Sequence, residues 1–194
     1  MRKIGFLFFL LFAIAAYPQQ EPYLTPYKTT EQKLKVWLKY ADTALDSENY
    51  PKLLLITEKG IDLAKNHPAY LGRFYLYRGI SYEFSNNQYQ KALANYELAL
   101  QYAKSSKQIK TETSALMRLN YTYYALNETA KNKELILYIK KVLDTTKSNY
   151  MKAVLYGSLG EYYLNYSEYE PFIQYQLKAI NYKKLLEKSV ANTE

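Results

Sequence analysis

The sequence contains no cysteine. Disulfides, thiol catalysis and cysteine-ligated metals are excluded, and so is a lipid anchor, which needs a cysteine just after a leader's cleavage site. Histidine occurs once, as His67 in a His-Pro step. A Ser-His-Asp set would have to rest on that residue alone, and no HExxH, Walker A or GxGxxG pattern is present. Glycine and proline are scarce, six of each in 194 residues. A β-rich fold with many tight turns needs more of both, so the scarcity favours helices. Past residue 16 no apolar run approaches the ~20 residues of a membrane span.

What is present is tyrosine, 24 residues of it, in a chain that is 48% hydrophobic. That is enough apolar material for a core and argues against disorder. A tyrosine has an apolar ring and a polar tip, which suits the half-buried seams between packed helices. The formal charge is +8, from 26 Lys and Arg against 18 Asp and Glu. The lysines are scattered with acids between them. That pattern reads as solvated surface, and no nucleic-acid partner is expected.

Residues 1–16 read as a secretory signal peptide. Arg2 and Lys3 are followed by an apolar run from Ile4 to Ile14, and Ala13, Ala15 and Ala16 offer small residues to a peptidase. An uncleaved N-terminal anchor is the alternative. Loss of Arg2 and Lys3 takes the formal charge from +8 to +6. The mature chain is expected outside the cytoplasm, periplasmic or secreted, with no membrane span. Residues 17–30 hold Pro18, Pro22 and Pro26 and read as an extended leader.

From residue 31 the pattern alternates between helical stretches of roughly 15–18 residues and short polar breaks. The expected pairs are 31–67, 69–106, 107–148 and 149–188, with 189–194 as a tail. Thr29 or Thr30 can cap the first helix, and Pro51 and Pro171 fall where second helices open. Ala41, Gly79, Asn120 and Gly160 sit at equivalent points, separated by 38, 41 and 40 residues. Three residues later come Ala44, Tyr82, Tyr123 and Tyr163. Tyr50, Tyr89 and Tyr169 precede second helices, while Gly60, Ala99, Val142 and Ala179 mark where those helices press on a neighbour. Small residues there let backbones approach.

These positions resemble the tetratricopeptide repeat, whose consensus has an aromatic, Leu-Gly and Tyr in the first helix and Tyr, Ala, an aromatic and Ala in the second. Tyr156, Leu159, Gly160, Tyr163, Tyr169 and Ala179 match in the fourth unit. Tyr75, Gly79, Tyr82, Tyr89, Ala92, Tyr96 and Ala99 match in the second, with one extra residue in the turn. The first unit gives Trp37, Ala41, Tyr50 and Gly60. The third is the poorest, with Leu119 and Tyr123 in place but Asn120 where glycine stands. The period near 40 exceeds the usual ~34. It looks like the long-period variant of bacterial extracytoplasmic sensor and regulator proteins.

The resemblance implies an all-α fold, a right-handed α-solenoid of about four antiparallel helix pairs. It implies a non-catalytic scaffold that holds a protein or peptide in a concave groove lined by the first helices, with no cofactor or metal. The groove positions it implies are Arg73, Tyr77 and Ile80, then Arg118, Tyr121 and Tyr124, then Glu161 and Asn165. Arg and Tyr together suit a binding hot spot; the alternative is that these tyrosines pack between helices. Leu38, Leu76, Met117 and Gly157 occupy the family's clamp-lysine position, so a carboxylate clamp is not expected. Asp42 and Asp46, one turn apart beside Lys39, read as a solvated face. Of three Asn-x-Ser/Thr sites, at Asn120, Asn127 and Asn165, the first is expected inside a helix seam. Two other readings stay open. One is the sensory input module of a histidine kinase or helix-turn-helix regulator, its output domain absent from this chain. The other is self-association through the exposed C-terminal helix at Leu185, Leu186 and Val190.

Overall fold

The computed structural model describes residues 21–191 and contains eight α-helices with no strand among them. The leader read at 1–16, residues 17–20 and residues 192–194 lie outside the described residues, as does the side chain of Val190. The helices are α1 Thr30–Asp46, α2 Tyr50–Leu63, α3 Pro68–Asn86, α4 Tyr89–Ser105, α5 Ile109–Ala125, α6 Thr129–Thr145, α7 Asn149–Asn165 and α8 Tyr169–Ala191. None is long and apolar enough to cross a membrane.

Local chemistry sets the ends. Thr29 and Gln32 form a capping box on α1: Gln32 N–H donates to Thr29 Oγ1 and Thr29 N–H to Gln32 Oε1, both at 3.2 Å. Asn49 Oδ1 accepts from Lys52 N–H at 3.1 Å to open α2, and Ser148 Oγ accepts from Met151 N–H at 3.2 Å to open α7. The periodicity carries the second helix to Asn66, but α2 stops at Leu63. Pro68 opens α3 and disfavours helical backbone at His67, which sits at φ −128 and ψ 79. At the other end nothing after Pro171 breaks a helix, and α8 runs three residues past Lys188.

The repeat is visible in the backbone. Glu48, Asn87, Asn127 and Ser167 all adopt left-handed φ, at 53, 51, 57 and 60 degrees, in the turns inside the four pairs. Their separations are 39, 40 and 40 residues. Each turn closes with a bond back into the preceding helix: Asn49 N–H to Ala44 O, Glu128 N–H to Tyr123 O and Glu168 N–H to Tyr163 O. In the second pair Gln88 N–H reaches Tyr82 O, one residue further back, and accommodates the extra residue there.

Neighbouring helices pack on one another in chain order, and the result is an all-α helical-repeat solenoid of four antiparallel pairs. The tightest approaches use glycine. A Cβ on Gly79 would lie 2.5 Å from Tyr96 Cε1, and one on Gly60 would enter the Phe74 ring. The third pair has no such glycine, and α6 makes the sparsest contacts with its chain neighbours α5 and α7. Asn120, buried in the glycine's place, donates from Nδ2 to Ser158 O at 2.8 Å and to Ser158 Oγ at 3.0 Å, tying α5 to α7. Two core clusters result, one from Leu34 to Phe74 and one from Leu76 to Tyr162. Leu45, Tyr75 and Tyr77 pack against both.

Candidate functional groove

The first helices α1, α3, α5 and α7 share a face that carries three hollows. The hollow between α1 and α3 has a volume of about 380 Å³ and is bordered by Leu38, Lys39, Asp42 and Arg73. The next, between α3 and α5, is about 460 Å³ and includes Arg73, Leu76, Ile80, Lys110 and Arg118. The third is about 670 Å³, spans α5, α7 and α8, and includes Met117, Tyr121, Gly157, Glu161 and Ile180. Adjoining hollows share residues: Arg73 and Gln108 border the first two, and Met117 borders the last two. They therefore form one groove along the stack. Its floor is the row Leu38, Leu76, Met117 and Gly157.

Seven of the eight positions that the resemblance implied border this groove: Arg73, Tyr77, Ile80 and Arg118 in its middle, Tyr121, Glu161 and Asn165 in its third hollow. Tyr124 borders none of the three; it meets Tyr166 edge-on at 6.1 Å. Ile80 is buried in the core and offers only its outer edge.

Two of the arginines are held by carboxylates. Arg73 Nη2 donates to Asp42 Oδ1 at 2.9 Å and to Tyr77 OH at 2.8 Å, and Tyr77 OH donates to the same Asp42 oxygen at 2.5 Å. Burial, and then the Asp42 carboxylate, raise the Tyr77 hydroxyl above the ordinary tyrosine pKa, so it stays a donor. Asp42 is thus the α1 end of a bridge to α3, where the sequence suggested only a solvated face. Arg118 Nη1 donates to Glu83 Oε1 at 3.1 Å and lies 5.2 Å from the centre of the Phe84 ring. Glu83 is 4% exposed, and its other oxygen accepts from Tyr96 OH. Burial, and then the charge of Glu83, push the Tyr96 hydroxyl far above its usual range. These bridges fix two cationic planes at the groove while satisfying the buried acid.

The third hollow differs. Tyr121 is 46% exposed and touches Tyr89 edge-on at 6.2 Å. Small residues, Ala153, Gly157 and Ser158, line the hollow on α7. A Cβ added to Gly157 would meet only Ala179 Cβ, at 4.0 Å, so the space above it is open. Gln176 Nε2 donates to Glu161 Oε1 at 3.4 Å on the rim.

A fourth hollow, about 940 Å³, lies away from this face between α4, α5 and α6. Two polar pairs are matched within it: Tyr123 OH donates to Glu97 Oε1 at 3.0 Å and Lys104 sits 4.7 Å over the Tyr138 ring. His67 caps α3 through its backbone and packs edge-on against Tyr70. Among the described residues no group of three His, Cys, Asp or Glu side chains is placed to hold a metal. Glu83 was not legible as the buried partner of a groove arginine, although an acid between Tyr82 and Phe84 in an aromatic run is the signal a buried, paired carboxylate would leave. No protein-family model matches the chain, and no curated protein shows significant similarity to it.

Proposed function

We propose that the chain is a non-catalytic scaffold that holds a protein or peptide segment along the first-helix face. The observation that carries this reading is the continuous groove, apolar on its floor and bordered by arginines that carboxylates pin in place. Preordered Arg and exposed Tyr bind with little loss of side-chain freedom, which is what an anchoring site needs. The turn spacing of 39, 40 and 40 residues and the ring-on-glycine contacts support reading the array as tetratricopeptide-like. The leader read at 1–16 would place it outside the cytoplasm.

Gly157 provides the test. Gly157→Leu fills the third hollow from a helix position that has room for a side chain, so the fold tolerates it and gains helix propensity of about 1 kcal/mol. Peptides selected from a random library on the purified chain, measured by fluorescence anisotropy, should lose at least about tenfold in affinity for Gly157→Leu and for Tyr121→Ala. The melting temperature of Gly157→Leu should stay level or rise. Peptides that bind Gly157→Leu and Tyr121→Ala as well as the parent would place binding elsewhere and sink the proposal.

A further inference from the structure

We infer that α8 is a self-association surface, pairing antiparallel with α8 of a second copy of this chain about a two-fold axis at Leu177. The inference does not rest on binding in the groove, although Ile180 of this stripe also borders the third hollow. On α8 the side turned to α7 carries Phe172, Tyr175, Gln176 and Ala179, all half-buried. A second stripe, Ile173, Leu177 and Ile180, lies roughly 120° around the helix at 100° per residue. These three are 55%, 56% and 47% exposed. Their spacing of four and three is the heptad seam of a helix pair.

Comparison with the other second helices, in register from the left-handed turn residues, shows the stripe to be particular to α8. The positions of Ile173, Leu177 and Ile180 correspond to Leu54, Glu58 and Ile61 in α2 and to Leu93, Glu97 and Leu100 in α4. In α6 they correspond to Lys133, Leu137 and Lys140. Each of those stripes is interrupted by charge, and only that of α8 is apolar throughout.

Charge selects the occupant and its direction. The seam is bounded by Glu170 on one side and Lys184 on the other, each seven residues from Leu177. Antiparallel pairing about Leu177 sets Glu170 against Lys184 of the second copy twice, and brings Ile173 and Ile180, four and three residues from the axis, to within one residue of the same level twice. Parallel pairing would set Glu170 against Glu170 and Lys184 against Lys184. Glu170 accepts only an exposed bond from Gln174 Nε2 at 3.3 Å, and Lys178 is already engaged over the rings of Tyr156 and Tyr175. A two-fold axis makes the contact closed and self-complementary, so it ends in a dimer and not a filament.

Sedimentation equilibrium of the full chain tests this. A helix-pair contact is at the small end of specific interfaces, so a monomer–dimer equilibrium in the micromolar range is expected. Leu177→Glu introduces the residue that α2 and α4 carry there, which the fold accommodates, and should raise the dimer dissociation constant at least about a hundredfold by burying two like charges on the axis. Helical circular dichroism should be unchanged. Glu170→Lys and Lys184→Glu should each weaken the dimer at low salt, and the double exchange should restore it. A chain that stays monomeric at millimolar concentration overturns the inference. So does a dimer that survives Leu177→Glu, or one indifferent to the single charge reversals. Binding of a monomeric chain to phosphatidylglycerol vesicles, lost in Leu177→Glu, also overturns it and assigns the stripe to a lipid surface.

Discussion

Asn132 should be replaceable by alanine with a gain in stability. It lies on α6, is fully buried, and neither its Nδ2 nor its Oδ1 has a hydrogen-bond partner. An unsatisfied buried amide costs about 1–3 kcal/mol on the scale of protein substitutions. Removing it leaves a small cavity, worth about 1 kcal/mol if nothing relaxes. Alanine returns about 0.5 kcal/mol in helix propensity. Ala92 stands at the equivalent place in α4, five residues after the left-handed turn residue as Asn132 is, and there the hairpin packs closely. The α5–α6 pair therefore has a closer arrangement within reach, which shrinks the cavity term. The expected net gain is about 1–2 kcal/mol, or roughly 2–8 °C in melting temperature for a chain of this size. Calorimetry and urea melts would measure it, and amide exchange along α6 should slow in parallel. A fall in melting temperature would refute the reasoning, because it would mean that the Asn132 amide is satisfied and supports the α5–α6 pair.

The other predictions concern the carboxylate bridges and the tyrosines. Glu83→Ala strips Arg118 of its counter-charge and Tyr96 of its acceptor; breaking a buried pair of this kind costs about 3–5 kcal/mol, so the urea midpoint should drop sharply, while Glu83→Gln should lose less. Burial, then Glu97, push the Tyr123 hydroxyl up to about 12, against about 10 in an unfolded chain. The folded state holds that proton more tightly, so its contribution is complete below pH 10 and is lost as pH rises towards 12. Melting temperature should therefore fall through that window, as the raised Tyr77 and Tyr96 also require, and Tyr123→Phe should flatten part of the fall.

Helix content, helix order and the four-unit period were legible because each leaves a local mark. Thr29, Pro51 and the small residues at Gly60, Gly79 and Gly160 can be read without knowing what they touch. The alignment of groove positions was legible for the same reason, since one helix face follows from one spacing. The bridges were not. Asp42 and Arg73 are 31 residues apart, and Glu83 and Arg118 are 35 apart. No periodicity within a helix couples them, and each acid alone looks like surface. Burial of Asn132 was hidden for the opposite reason, since a polar residue on a lysine-rich helix is ordinarily solvated. Gly157 was legible only as a missing clamp lysine; that its absence opens a hollow depends on the neighbouring α8.

The third unit shows how one substitution spreads in a stack where each unit touches only its neighbours. Glycine at the position of Asn120 lets a ring or side chain from the paired second helix settle on the backbone, as Tyr96 does on Gly79 and Gln176 on Gly160. Asparagine closes that seat. Its amide turns to the next unit instead and donates to Ser158 on α7. The α5–α7 contact is gained and the α5–α6 contact thinned by the same change, which is why α6 has the sparsest packing on its chain neighbours. Both Asn120 and Ser158 also border the third hollow. The separation of Tyr121 from Glu161 across the groove is therefore set by the bond between two first helices and not by hairpin packing. Restoring glycine at position 120 would tighten the hairpin, release α7 from α5, and widen the groove where its floor is most apolar. On this argument the poorest repeat by sequence is the one that shapes the candidate site.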